Sequence, residues 1–307
     1  MIVFESLENA FPKEDTAIAV GYFDGVHRAH RSVIEKAVSF KEKGLSPMVF
    51  SFTTIKNTPE KKKGALLLQS FFQKTRSIEA LGASYFLCPP FSSFMGLSPK
   101  EFAVDLLAGQ LHAKAVVCGY DYRFGKGASG NADTLRELLE PLGAEVYAVD
   151  AVLDKKEPIS STRIRELLKD GSIEEANRLL GYDFAIDYEV VHGRHLGNTL
   201  GFPTINQIFP EYKIAPRFGV YKTSLDIDGK SYLGVTNVGR KPTVGATGFI
   251  SAETYIDCFD GDLYGKKIEL SFQNFLRPEE KFPSIEKLKE AIANDVIHAR
   301  KIKNKEK

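Results

Sequence analysis

The sequence lacks long apolar runs and an excess of charge of either sign. No run approaches the roughly 18 apolar residues that span a bilayer, so we expect no membrane partner. The N-terminal MIVFESLENAFPKED has no basic start followed by an apolar stretch, so we expect no signal peptide. With 41 basic and 40 acidic residues the formal net charge is +1, which gives no support for a nucleic-acid partner. The basic KIKNKEK at the C-terminus predicts a solvated tail.

Cysteine is also sparse. Cys88, Cys118 and Cys258 lie far apart and show no CxxC spacing. Two of them follow apolar residues in strand-like runs, which favours buried thiols. An odd and low count fits a reducing compartment, and we therefore expect a cytoplasmic protein.

The 307 residues, of which 43% are hydrophobic and 26% charged, are enough for two folded domains. In the first 180 residues, short apolar runs alternate with helical patterns. The predicted strands cover residues 16–20, 47–52, 85–87, 115–118 and 145–149. Helices are predicted over residues 32–43, from Ser98-Pro-Lys-Glu101 onwards because this is a capping box, and before Gly143. This alternation predicts βαβ units and a parallel sheet.

After two short predicted helices, over residues 162–169 and 173–180, the pattern changes to strands with little helix between them. Gly171 and Gly181 are expected to cap those helices. The predicted strands cover residues 184–191, 220–227, 231–238, 250–259 and 266–275, and a last helix follows Ser284. Asp228-Gly229 predicts a hairpin turn. We place the boundary near residue 184, giving domains 1–183 and 184–307, the second able to close as an antiparallel barrel.

The segment GYFDGVHRAH lies at a strand-to-helix junction, where open parallel sheets place their ligand sites. Gly21 and Gly25 permit tight backbone geometry, and the free amides at the following helix start favour phosphate. His27 and His30, three residues apart, could face the same polyphosphate. The same sequence pattern could also be a turn that carries two surface histidines, or a pair of histidines that binds a metal weakly.

A second polar segment, ISSTRIR over residues 159–165, begins a helix after an apolar strand and a proline. Ser161, Thr162 and Arg165 offer hydroxyls and a cation for phosphate. The alternative is a simple N-cap with a surface arginine.

Together with GYDYRFGKGASGN over residues 119–131, these segments resemble the HxGH-type nucleotidyltransferases. The resemblance is greater to the FMN adenylyltransferase half of the bacterial bifunctional riboflavin kinase/FAD synthetases. It implies a Rossmann-like α/β domain in which the FMN phosphate attacks the α-phosphate of ATP. It also implies site roles: His27 and His30 are catalytic, Asp121 lies on the flavin side, and ATP is held by Gly21, Phe23, Asp24, Gly25, Ser161, Thr162 and Arg165.

The first half departs from the family pattern at several positions. Ala29 stands where a glycine is usual between the histidines, and the Phe-Asp-Pro-His-Pro-like segment is reduced to Phe52-Thr-Thr-Ile-Lys56. Ala128 and Asn131 replace a basic and an acidic residue. These changes leave open an adenylyltransferase activity that is weak, altered or lost.

In the second half, GNTLGFPTIN over residues 197–206 combines backbone freedom with two oxygen-bearing side chains, Thr204 and Asn206. Such oxygens suit Mg²⁺, which commonly shares phosphate oxygens with the protein. A polar turn fixed by Pro203 is the alternative. In ISAETYIDCF, period-2 alternation separates Ala252, Thr254 and Ile256 from Glu253 on the other face.

With GVYKTSL, GVTNVGRKPT, DGDLYGKKI and LRPEEKF, these segments resemble riboflavin kinase over residues 184–300. The resemblance implies an all-β domain, a six-stranded antiparallel barrel with a C-terminal helix, that needs no Walker A sequence. It also implies Thr204 and Asn206 at Mg²⁺–ATP and Glu253 as the base. Gly197, Gly201 and Pro203 would lie in the ATP loop, and Asn237 at the flavin.

The resemblance therefore predicts a bifunctional enzyme with riboflavin, FMN and ATP as substrates and Mg²⁺ as cofactor. It would make FMN from riboflavin, and then FAD and pyrophosphate from FMN. One alternative is a riboflavin kinase with a degenerate adenylyltransferase domain. Another, from a different class, is a flavin- or nucleotide-binding regulator without turnover. A homo-oligomer is compatible with the sequence.

Overall fold

The computed structural model describes residues 1–53, 65–193, 201–243 and 246–302. They form two compact units. The first comprises Met1–Ala65 and Phe71–Ser160, and the second comprises Leu66–Ser70 and Ser161–Lys307. Of the helices within the described ranges, none has both the length and the apolar character needed to cross a membrane.

The first unit is built on a six-stranded sheet in which all neighbouring strands are parallel, in the order β1-β4-β3-β2-β5-β6. The strands are β1 (Ile2–Phe4), β2 (Thr16–Val20), β3 (Ser46–Phe50), β4 (Tyr85–Leu87), β5 (Ala113–Gly119) and β6 (Glu145–Val149). The helices are α1 (Arg28–Ser39), α2 (Phe71–Ala80), a π-helix (Glu101–Gln110) and α3 (Ala132–Leu139), and a small hairpin of β7 (Leu153–Asp154) and β8 (Glu157–Pro158) follows.

The central strand β2 explains why this sheet is buried on both faces. Ile18 and Val20 enter one apolar cluster, and Ala17 and Ala19 enter another on the opposite side. A continuous apolar strand is typical of a parallel sheet that is covered on both faces. The predicted parallel α/β fold is thus confirmed.

The second unit begins with α4 (Ser161–Asp170) and α5 (Ile173–Leu180) and ends with α6 (Ile285–Lys301). Between them lies an antiparallel sheet in the order β10-β13-β12-β11-β14-β9. Its strands are β9 (Ala185–Ile186), β10 (Thr204–Ile208), β11 (Gly219–Ile227), β12 (Lys230–Thr243), β13 (Ala246–Ile256) and β14 (Leu270–Pro278).

The two edges of this sheet approach each other. Beyond β9, the amide of Val191 donates to the carbonyl of Asn206 on β10, at 2.8 Å. The sheet therefore curls into a half-barrel, which confirms the predicted six-stranded antiparallel arrangement and its C-terminal helix. Asp228 and Gly229 form the predicted two-residue hairpin turn, with φ of 50° and 80° as a type I′ turn requires.

Some local predictions were wrong. The predicted strand over residues 184–191 pairs as a ladder only at Ala185–Ile186, because its remaining contacts are isolated bridges. The predicted strand over residues 250–259 ends at Ile256, since Cys258 has a φ of 55° that interrupts an extended chain. The capping box at Ser98 and Glu101 is present, with reciprocal bonds of 2.7 and 3.2 Å.

The compact units divide the chain before the boundary that we predict at residue 184. Helices α4 and α5 belong to the second unit, where Asn177 of α5 donates to the carbonyl of Phe272 on β14 at 2.8 Å. Leu66–Ser70 also belongs there, and Lys213 donates to the Leu68 carbonyl at 2.7 Å. The domain limits 1–183 and 184–307 remain a prediction.

Candidate active sites

In the first unit, the two polar segments predicted to bind substrate follow neighbouring strands. GYFDGVHRAH begins at the carboxyl end of β2, and residues 119–131 begin at the carboxyl end of β5, which pairs with β2. The order of strands changes direction here, since β3 lies on one side of β2 and β5 on the other. Such a switch point is where open α/β sheets bind ligands.

The turn between β2 and α1 has an unusual backbone. Phe23 and Val26 have positive φ values of 50° and 32°, and Gly25 has 89°. A non-glycine residue in this region costs on the order of 1–3 kcal/mol and persists only when its surroundings hold it. Gly21 is required for a different reason, because a Cβ there would lie 2.8 Å from the Phe23 ring.

The two predicted catalytic histidines meet at the start of α1. His27 is buried and caps the helix, with its Nδ1 accepting from the His30 amide at 3.4 Å. Their rings stack, with centroids 3.6 Å apart, and the His30 and Phe23 rings meet edge to face with centroids 5.4 Å apart. Both imidazoles therefore stand beside the positive end of a 12-residue helix, where a phosphate group is favoured. Asp24, predicted to help bind ATP, is buried in the same turn.

The segment after β5 holds the predicted flavin-side residue and two of the departures. Asp121 is exposed, and its Oδ1 would lie 3.4 Å from a Cβ added to Gly119. Ala128 has a φ of 56°. Asn131 caps α3 by accepting from the Thr134 amide at 2.9 Å, so its side chain has a structural role.

Three further predicted ATP-binding residues lie in the second unit, whereas the histidines lie in the first. Ser161 and Thr162 are the first two residues of α4. Arg165 uses its Nε to donate to the carbonyl of Leu66 at 2.7 Å. Whether these side chains contact ATP stays a prediction.

In the second unit, the strand register aligns the predicted kinase residues. Asn206 of β10 lies opposite Glu253 of β13, and Glu253 lies opposite Asn237 of β12. Thr204 precedes Asn206 by two residues and therefore projects from the same face of the sheet. The inward neighbours Ala252 and Thr254 are buried, as the predicted alternation requires. One face thus carries Thr204, Asn206, Asn237 and Glu253.

A lysine that we did not predict joins two of these side chains. Lys241 of β12 donates to Oδ1 of Asn206 at 2.9 Å and forms an ion pair with Glu253. The sequence does hold a signal for it, because Asn237, Gly239 and Lys241 alternate along β12 and so share a face. Without the strand register, that alternation could not show which side chains Lys241 contacts.

The same face is bounded by other elements of the unit. Val296 and Ala299 of α6 pack against Val220 and Val235. Near the site, Asn237 donates to Glu279 at 3.5 Å. A Cβ added to Gly239 would lie 2.1 Å from Oε1 of Glu279, so a larger residue there would displace this exposed side chain.

The predicted ATP loop is described only in part. Gly197 lies outside the described residues, Gly201 has a φ of 81°, and Pro203 is exposed immediately before β10. Among the residues that the structure covers, no cluster of three or more His, Cys, Asp or Glu could bind a metal alone. Thr204 and Asn206 nevertheless place a hydroxyl and an amide oxygen on one face of the sheet, and Oδ1 of Asn206 accepts from the Lys241 ammonium at 2.9 Å. Since Mg²⁺ takes waters and phosphate oxygens as its other ligands, these two oxygens fit it.

Comparisons with known proteins match two family models to different parts of the chain. A family model described as FAD synthetase matches residues 10–163, and one described as riboflavin kinase matches residues 180–303. A bifunctional riboflavin kinase/FMN adenylyltransferase of Listeria monocytogenes is 34% identical over 278 residues, covering 88% of this chain and 87% of the relative. The protein of the same name from Escherichia coli K12 is 33% identical over 296 residues, covering 94% and 93%.

Among solved structures, a macrolide-efflux protein from Streptococcus pneumoniae matches with a TM-score of 0.88 and 28% identity. The match covers 98% of this chain and 99% of that one. From these matches, the chain belongs to the bifunctional riboflavin kinase/FMN adenylyltransferase family.

Proposed function

We propose that this chain is a cytoplasmic enzyme that makes both flavin cofactors. Its second unit would phosphorylate riboflavin with ATP to give FMN and ADP. Its first unit would adenylylate FMN with a second ATP to give FAD and pyrophosphate. The observation that carries this proposal is the presence of both family segments, residues 10–163 and 180–303, in order on one chain.

For the kinase reaction, the register of β10, β13 and β12 supports Glu253 as the base. The carboxylate would take the proton of the ribityl 5′-hydroxyl while that oxygen attacks the γ-phosphorus, and the bond to the β–γ bridging oxygen would break. Thr204 and Asn206 would hold Mg²⁺ with ATP, and the bound ion would neutralise charge on the phosphate oxygens. Lys241 keeps the Asn206 amide and the Glu253 carboxylate side by side.

For the adenylyl transfer, the stacked histidines at the start of α1 support an electrostatic role. An FMN phosphate oxygen would attack the α-phosphorus of ATP, and pyrophosphate would leave with the electrons of the broken P–O bond. His27 and His30 would donate hydrogen bonds to oxygens that gain charge. Such a reaction needs positioning and charge stabilisation rather than a protein nucleophile.

The test is incubation of the purified chain with riboflavin, ATP and Mg²⁺, followed by chromatographic separation of the flavins. We expect both FMN and FAD. FMN alone would indicate a kinase with an inactive first unit, and unchanged riboflavin would refute both activities.

Two substitutions test the division of labour. Glu253→Ala should abolish FMN formation but leave the conversion of added FMN to FAD, because the glutamate lies in the second unit. His27→Ala should do the reverse. His298→Ala and Glu290→Ala, which change exposed residues of α6, are controls for each kind of side chain. Equal losses of both activities in either site variant would contradict the assignment.

A further inference from the structure

A buried lysine of the first unit contacts the strained turn that carries the histidines. Lys74 projects from α2 and is only 8% exposed. Its Nζ donates to the carbonyl of Tyr22 at 2.6 Å and to Oγ of Ser51 at 2.5 Å. Ser51 also donates to the Tyr22 carbonyl, at 2.6 Å. One backbone oxygen at the start of the turn therefore receives two hydrogen bonds, one of them from a cation.

The surroundings of Lys74 offset part of the cost of burying its ammonium. Burying an ammonium is costly unless other groups compensate for the lost water. Burial lowers the pKa of Lys74, while Cys88 and Asp24 act in the opposite direction. The faces of Tyr22 and Phe86 add support, with ring centroids 5.3 and 6.0 Å from Nζ. A methionine would fill the same space without these costs, so packing alone does not explain the lysine.

A continuous set of contacts leads from this lysine to the histidines. Tyr22, which Lys74 holds, is followed by Phe23, whose positive φ needs support from its surroundings. The Phe23 and His30 rings meet edge to face, and His30 stacks on His27. If Tyr22 were released, Phe23 could relax and the histidine pair would lose its present geometry.

We propose that Lys74 is a positioning residue of the adenylyltransferase site, holding the turn after β2 so that His27 and His30 stay stacked at the start of α1. This inference rests on the proposed function of the first unit. Lys74 acts through the Tyr22 carbonyl and is not assigned any contact with substrate.

The experiment compares Lys74→Met, Lys74→Arg and a matched control in the full-length enzyme. The control is Lys36→Met, because Lys36 also lies over two aromatic rings of the first unit, Phe40 and Tyr147, but is on a part of α1 remote in sequence from the turn. Steady-state FAD formation from FMN and ATP gives kcat and KM. FMN formation by the same preparation is the internal control.

We expect Lys74→Met to lower kcat for FAD formation about 30-fold, equivalent to about 2 kcal/mol in the barrier. KM for ATP should change less than threefold, and FMN formation less than twofold. Lys74→Arg should recover at least fivefold of the lost kcat, because a guanidinium can still donate to the Tyr22 carbonyl. In NMR spectra, the ring resonances of His27 and His30 should shift in Lys74→Met and not in Lys36→Met.

Unchanged kcat and histidine resonances in Lys74→Met would overturn the proposal. If that variant does not fold, Ser51→Ala tests the proposal, since it removes one hydrogen bond to the Tyr22 carbonyl and leaves the Lys74 ammonium in place. It should lower FAD formation about threefold to tenfold, and wild-type activity in it would also overturn the proposal. Absence of FAD formation in the wild-type chain would refute the proposed function instead, and the NMR comparison would then test the positioning.

Discussion

Three buried threonine hydroxyls form a line across the middle of the half-barrel. Thr223 of β11, Thr236 of β12 and Thr254 of β13 are at most 1% exposed. The Oγ1 of Thr236 lies 2.8 Å from that of each neighbour. The backbone of Gly234 lies close to these hydroxyls, since a Cβ added there would lie 2.3 Å from Oγ1 of Thr223. Little room remains for the hydroxyls to find other partners.

We predict that Thr236→Val is more destabilising than replacing all three threonines by valine. The single change leaves two buried hydroxyls that have each lost a partner, at about 1–3 kcal/mol apiece. We therefore expect the free energy of unfolding to fall by about 2–6 kcal/mol. For a unit of this size that corresponds to a Tm lower by roughly 4–24 °C. The triple variant removes the hydroxyls together, and such a replacement can be nearly neutral.

The assay is urea unfolding of the full chain, with FMN formation measured at a temperature where each variant is folded. Thr236→Ser is the matched control, because it keeps the hydroxyl and removes one methyl group, at about 1 kcal/mol. FMN formation should persist in all variants, since Glu253 projects from the opposite face of β13. A triple variant less stable than Thr236→Val would refute this reasoning.

Three further predictions concern other parts of the chain. In native buffer a thiol reagent should titrate only the exposed Cys258, because the other two thiols are buried; a second fast equivalent would contradict this. Arg300 lowers the pKa of Asp257 mainly through a hydrogen bond, so Arg300→Met should reduce stability at pH 7. That difference should shrink as the pH falls below about 4, the ordinary range of an aspartate, and disappear once the pH is below the lowered pKa of folded Asp257; a difference between the denaturant curves that does not shrink below about pH 4 would argue against it. Ala29 has ordinary helical geometry within α1, so Ala29→Gly should cost up to about 1 kcal/mol of stability and alter kcat/KM for FAD formation less than threefold. A tenfold gain in kcat/KM would indicate that the methyl group of Ala29 obstructs phosphate.

Much of the fold could be predicted because its signals are local. Strands β2, β4 and β6 have the predicted limits, since each is a short apolar run bounded by turn residues. The alternation in β13 also assigned Glu253 to the face opposite Thr254. By contrast, the segment Pro203-Thr-Ile-Asn206, within which β10 begins at Thr204, fits a polar turn equally well until its partner β13 is known.

What could not be predicted depends on contacts between distant segments. The contact of Lys241 with Asn206 spans 35 positions and follows from the order of β10, β13 and β12. Helices α4 and α5 were predicted to be part of the first domain because the pattern of strands with little helix begins only after them. The Asn177 side chain donates to the Phe272 carbonyl and accepts from the Phe184 amide, and it is one of the contacts that join α5 to the second unit.

The departures from the family pattern lie in different parts of the proposed adenylyltransferase site. A loss of activity caused by each should therefore change a different kinetic constant. Ala29 stands on the proposed phosphate side, beside the stacked histidines, and its helical backbone carries no strain. Ala128 and Asn131 stand in the segment after β5, with Asp121 on the proposed flavin side. Ala128 has a φ of 56°, and the Asn131 side chain caps α3. Any loss of adenylyltransferase efficiency should therefore appear as a raised KM for FMN. Steady-state measurements that show a raised KM for ATP with an ordinary KM for FMN would place the deficit at the histidines instead.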